Sequence, residues 1–254
     1  MSSNPSSVFS FYTNEGWQSD SSGSSLDSVL FEDLRSCSNS YLFNNRRRLQ
    51  EYFPSTGDYI LDCASGPIQY PEYLSYSSGF SKRVCVDLSS DALNRALSLD
   101  PDKVIPVEGD IRSLDLSMFS FDVILSLHTI YHLPLSDQFP VINKFISLLS
   151  PRGMLLIVYS NPNFLLERLK TFIKFVLHRK KAPIFTFERF QPSQVLSCYP
   201  SAKLIPYRFL SGEDMKRIFP NNKFTLVFLR LLSFVEPFLP LFLCQYYIIK
   251  VSKN

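Results

Sequence analysis

Between residues 57 and 160 short apolar runs alternate with helical patterns. YILDC (59–63), KRVCVDLS (82–89), KVIPVEGD (103–110), FDVILSLHTI (121–130) and MLLIVYS (154–160) read as strands. The fourth is apolar almost throughout, which suits a strand buried on both faces. The third holds Pro106, which cannot donate to a ladder and so predicts an edge. YPEYLSYSS, SDALNRALSL and SDQFPVINKFISLLS read as the intervening helices. In the first of these Pro71 is tolerated in the first turn, and Gly79 follows the end. Strand–helix repeats of this length predict a parallel sheet with right-handed crossovers.

The flanks differ. Residues 1–56 begin with a Ser/Asn-rich arm, in which QSDSSGSSLDS (18–28) reads as a loop. Its aromatic cluster FYTNEGW (11–17) is expected to dock as a lid over a filled cleft. YLFNNRRRLQEYFP (41–54) has helical spacing, with Arg46, Arg47 and Arg48 expected on a solvated face. Residues 161–254 hold an amphipathic helix over 164–181 with a basic end, then strands AKLIPYRFLS and CQYYIIKVS. The apolar stretch 224–243 has the length of a membrane span. It carries Arg230, Glu236, Pro237 and Pro240, so a buried helix followed by a Pro-rich turn is expected instead. The 164–181 helix is expected to cap an acceptor pocket; its alternative is contact with a membrane surface through the basic end. The division expected is 1–56 arm and helix, 57–160 ligand-binding core, and 161–254 cap insertion with the last strands.

Composition narrows the partners. The 254 residues carry a formal charge of +3, too mild to call for nucleic acid. The five cysteines form no C-x-x-C pair, so neither a metal site nor a redox pair is expected, and the compartment expected is the reducing cytoplasm. The N-terminus lacks the basic and apolar regions of a secretory signal.

In an open parallel sheet, ligands bind at the carboxyl ends of the strands. Asp62, Ala64, Ser65 and Gly66 follow the first strand, Asp87 and Leu88 the second, Asp110 and Ile111 the third, and Leu127 and His128 the fourth. An acid about 20 residues past a glycine loop can accept from both hydroxyls of a ribose, as in NAD or S-adenosylmethionine sites. The loop separates these two. Ala64 and Ile68 stand where a diphosphate needs glycine, and Pro67 lacks an N–H. S-adenosylmethionine has no phosphate, and Asp62 and Asp110 are expected to supply negative charge near its sulfonium.

ILDCASGP, VCVDLS, VEGDIRSL, FDVILSLHTIYHL and LSPRGMLLIVYS, in this order, resemble the motifs of class I S-adenosylmethionine-dependent methyltransferases. The resemblance implies a Rossmann-like, doubly wound, mostly parallel seven-stranded sheet whose last strand, CQYYIIKVS, is antiparallel. It implies that Asp87 holds the ribose, that Asp110 and the Ile111 amide read the adenine, and that Ala64, Ser65, Gly66 and Leu127 line the methionine part. Ala64 and Ile68 depart from its glycines. The acceptor expected is a small molecule, methylated at O or N, with His128 as the candidate general base and His132 structural. NPNF (161–164) imitates an Asn-Pro-Pro-Tyr motif but follows the fifth strand rather than the fourth, which argues against a nucleobase or glutamine acceptor. An NAD-type oxidoreductase and a binding protein without catalysis are the alternatives.

Overall fold

The apolar runs become strands of one sheet. The computed structural model describes residues 5–21, 23–176 and 187–253, without the side chains of 5–7 and 172–176. In chain order the elements are α1 (Pro5–Asn14), α2 (Leu26–Phe31), α3 (Asn39–Gln50), β1 (Gly57–Cys63), α4 (Pro71–Ser75), β2 (Phe80–Asp87), α5 (Ser90–Leu99), β3 (Val104–Glu108) and β4 (Phe121–Leu127). There follow α6 (Leu135–Ser147), β5 (Leu149–Ser160), α7 (Leu165–Val176), α8 (Pro192–Cys198), β6 (Lys203–Arg208), α9 (Gly212–Ile218), α10 (Lys223–Val235) and β7 (Tyr246–Ser252).

Among the described residues the sheet runs β3-β2-β1-β4-β5-β7-β6. The first five strands pair in parallel, and β7 lies antiparallel to both β5 and β6. This is the mostly parallel seven-stranded sheet that the motifs implied, with Pro106 on the edge strand. Side chains alternate across it. Leu61, Val84, Ile124 and Leu155 pack with Val141 and Phe145 of α6 and Val195 of α8. Ile60, Val123, Leu125 and Val158 face the other way, onto Leu49 of α3, and Cys85 meets Leu93 and Ala96 of α5 on that side. Each such side chain contributes roughly 1.5–3 kcal/mol by leaving water. The strand order reverses between β1 and β4, so the crevice for a ligand opens beyond Cys63 and Leu127.

Two expectations fail here. Arg46 and Arg48 are buried, and Arg47 alone of the three is exposed. Consecutive helical residues point about 100° apart, so three in a row cannot share one face. Arg48 pairs with the fully buried Glu236 at 3.1 Å, and Arg46 sits near Glu72 at 3.6 Å with its guanidinium 3.4 Å above the Tyr70 ring. The stretch 224–243 is a helix and two single 3-10 turns, as expected, but it is not buried. Thr225, Leu229 and Ser233 face inward, while Phe224, Val227, Phe228, Leu231, Phe234, Val235 and Phe238 are exposed. No helix among the described residues is long and apolar enough to cross a membrane. The basic end expected for the 164–181 helix lies outside the described residues. NPNF has a structural use: Asn161 donates to the carbonyls of Leu241 and Cys244 at 2.7 and 2.9 Å.

Candidate active site

Beyond β1 the chain turns through Ala64 (φ 56°), Gly66 (φ 53°) and Ile68 (φ 53°). Left-handed backbone at alternate positions is the glycine-loop conformation, here adopted twice by residues with a Cβ at roughly 1–2 kcal/mol each. Neighbours hold it in place. The Ser65 amide donates to the Val86 carbonyl at 3.1 Å, and the Gly66 amide to Asp87 Oδ2 at 2.9 Å. Gly66 is required twice over, because a Cβ there would also come within 2.6 Å of the Trp17 ring.

Asp87 ends β2 with its Oδ1 accepting from the Ser89 amide at 3.0 Å. Burial raises its pKa, against the amides of Ser89 and Gly66. The Trp17 indole N–H also favours the charged form, though it closes no hydrogen bond of ordinary geometry. Asp87, Leu88, Asp62, Ala64, Ser65, Asp110, Ile111, Leu127 and His128 all line one cleft; Gly66 flanks it beneath Trp17. Free negative charge from Asp62 and Asp110 is not found. Asp62 forms a buried ion pair with Arg83, and Asp110 grips Arg112 through both oxygens, at 2.9 and 2.6 Å from Oδ2 and 3.0 Å from Oδ1. Side-chain hydrogen bonds from Arg112 hold Asp110 below its usual pKa.

His128 follows β4 in a left-handed conformation (φ 60°), with Nδ1 3.1 Å from the Tyr131 hydroxyl. Burial, and then the charge of Arg208, push it down to about 3. It is a neutral, weakly basic imidazole. His132 is pushed down to about 4 by burial and stacks on Tyr131 at 4.7 Å.

The N-terminal segment completes the wall. Val8, Phe9, Tyr12, Trp17, Asp27 and Glu32 all face the cleft. The Ser/Asn-rich composition hides α1 and α2; the Val8–Phe11–Tyr12 spacing is the one helical signal for α1. Tyr12 donates to Asp27 Oδ1 at 2.9 Å. Burial raises Asp27 to about 6, against the hydrogen bonds from Tyr12 and Gln69. Asp27 forms no ion pair among the described residues, unlike Glu32, which Arg208 holds at 3.0 and 3.1 Å. Burial would raise Glu32, but Arg208 and Arg46 outweigh it and keep the carboxyl charged.

Residues 61–157 match the family model described as "Methyltransferase domain". The chain carries a methyltransferase domain. S-adenosylmethionine is the cofactor of this methyltransferase domain, and the protein is an enzyme. Solved structures agree in fold. The N-methyltransferase NodS from Bradyrhizobium japonicum, in complex with S-adenosyl-L-homocysteine, is 10% identical with a TM-score of 0.57, over 99% of each chain. The plantazolicin methyltransferase BpumL, also in complex with that product, is 16% identical with a TM-score of 0.53, over 98% of this chain and 96% of that one. A SAM-dependent methyltransferase from Archaeoglobus fulgidus is 18% identical with a TM-score of 0.53, over 84% of this chain and 94% of that one. No curated protein matches in sequence.

The donor set of the methyltransferase domain fits this cofactor. Asp87 keeps lone pairs for a diol, Ile111 and Leu127 give apolar walls, and the loop is poor for a phosphate: Pro67 has no N–H, and the Ser65 and Gly66 amides already donate to the Val86 carbonyl and to Asp87.

Proposed function

We propose that the protein methylates a small-molecule acceptor at an oxygen or nitrogen that gives up a proton, and that Asp27 takes that proton. The observation carrying this reading is a carboxylate in the cleft wall, without a cation partner among the described residues, raised by burial to about 6. A base with a pKa just below neutrality is ionised at pH 7 and still has basic strength. Tyr12, itself kept protonated by burial and by Asp27, orients the carboxylate through its hydroxyl.

Asp87 would hold the ribose hydroxyls, Ile111 and Leu127 the apolar parts, and Ala64, Ser65 and Gly66 the amino-acid end. When bound, S-adenosylmethionine supplies an electrophilic methyl group on a sulfonium. The residues position the acceptor and keep the cleft dry. Tyr12 and Trp17 act as the lid. The base role expected of His128 passes to Asp27, because an imidazole held near 3 gains little by accepting a proton. Strained backbone at Ala64 and His128, both in the cleft wall, favours a working site over a decayed one.

The test is turnover. Formation of S-adenosylhomocysteine across a library of amines and hydroxyl compounds should rise with pH through about 6 for the accepted ones. Turnover independent of pH in that range would remove Asp27 from the mechanism.

A further inference from the structure

α10 is amphipathic with its apolar side turned outward. Phe224, Val227, Phe228, Leu231, Phe234, Val235 and Phe238 recur at three- and four-residue spacing, and Phe224 and Phe238 at the two ends are 87% and 85% exposed. The inward side is narrow and mixed: Thr225, Leu229 and Ser233 are buried, Leu232 packs half-buried against the cluster of Tyr41, Leu42 and Met215, and Glu236 follows, held by Tyr41 and Arg48. Core packing therefore does not explain the bulky residues. The row extends to Phe242, and Leu165 and Leu169 of α7 are also exposed near the 3-10 turn Leu241–Leu243 that α7 packs against. Single exposed apolar residues are normal on a protein; an ordered stripe of them marks an interaction surface.

The charges choose the partner. Lys223 and Arg230 on α10, Arg168 on α7 and Arg47 on α3 are exposed and form no ion pair among the described residues. α10 itself carries no acid, and Glu236 at its end is fully buried.

We propose that α10 lies in the plane of a lipid bilayer surface bearing anionic headgroups. The phenylalanines enter the acyl boundary, and Lys223 and Arg230 meet the headgroups. The helix is about 20 Å long at 1.5 Å per residue, the size of an interfacial anchor and not of a span. A second copy of the chain fits less well. Seven residues apart on the helix, Lys223 and Arg230 share one flank of the stripe, and α10 carries no acid to pair with them across a two-fold.

Flotation of the full chain with vesicles tests this. Phosphatidylcholine mixed with phosphatidylserine should carry the protein, and phosphatidylcholine alone should carry much less. The variant Phe224→Ser/Phe234→Ser/Phe238→Ser should lose most of the binding. Lys223→Gln and Arg230→Gln should each reduce it about fivefold at low salt. S-adenosylmethionine affinity, which these positions do not touch, reports that the variants are folded. Absence of binding to both vesicles, equal binding to both, or a dimer in sedimentation that the triple serine variant dissolves would each overturn the proposal.

Discussion

Asp27→Asn should make the protein more stable and nearly inactive. Burial lifts the carboxyl from 3.8 to about 6, so the ionised form costs the folded state about 3 kcal/mol at neutral pH. Well below pH 3.8 both folded and unfolded chains hold the proton and the cost vanishes. Stability from this group is thus full in acid and is lost as pH rises through about 6. An amide of the same shape keeps an oxygen for the Tyr12 hydroxyl and never ionises. The gain expected at pH 7.5 is about 1–3 kcal/mol, which for a chain of this size raises Tm by roughly 2–10 °C. At pH 4 most of the difference in melting should be gone, with roughly 0.5 kcal/mol left. Turnover should fall by about 10²–10⁴-fold, the range for loss of a general base. Calorimetric melts at the two pH values and S-adenosylhomocysteine release measure the two arms. If the variant is less stable at pH 7.5, or turns over like the parent, Asp27 is an ordinary wall residue.

Asp87→Ala should weaken S-adenosylmethionine binding by about 1.5–3 kcal/mol in calorimetry, because a carboxylate that accepts from two hydroxyls is lost; unchanged affinity would end the ribose assignment. Ala64→Gly relieves a left-handed alanine but adds unfolded-state freedom, so stability and cofactor affinity should each move by less than about 1 kcal/mol. A large gain in affinity would instead identify the loop as a degraded one. Trp17 is the single tryptophan and rests on Gly66, so its emission should change on cofactor binding. Deleting residues 1–20 should lower turnover with the sheet intact; a deletion that unfolds the chain, with emission indifferent to ligand, makes the arm structural.

The seven strands were legible because period and length decide them, and Asp87 because a strand end has a fixed place in such a sheet. Two things were not. Arg46 and Arg48 look like surface residues until Glu72 and Glu236, far off in the chain, arrive to pair with them. Asp27 looks like a loop acid in a serine-rich stretch, and only its burial beside Tyr12 of α1 and Gln69 of the loop after β1 gives it an unusual pKa. Periodicity also marked α10 as apolar without saying which way the stripe faces, since that depends on what α3 offers it.

The ties that hold the N-terminal segment reach almost the whole length of the chain. Glu32 waits for Arg208, 176 residues on; Arg35 for the Phe219 carbonyl, 184 on; and Tyr41 for Glu236, 195 on. On a ribosome adding about 5–20 residues per second, the first-made segment spends roughly 9–40 seconds without its anchors. The five parallel strands can assemble in that interval, but the crevice stays open until the last tenth of the chain emerges. Closure of such distant contacts is slow, and a chain cut short at the C-terminus would have a sheet and a cofactor loop with no roof above them.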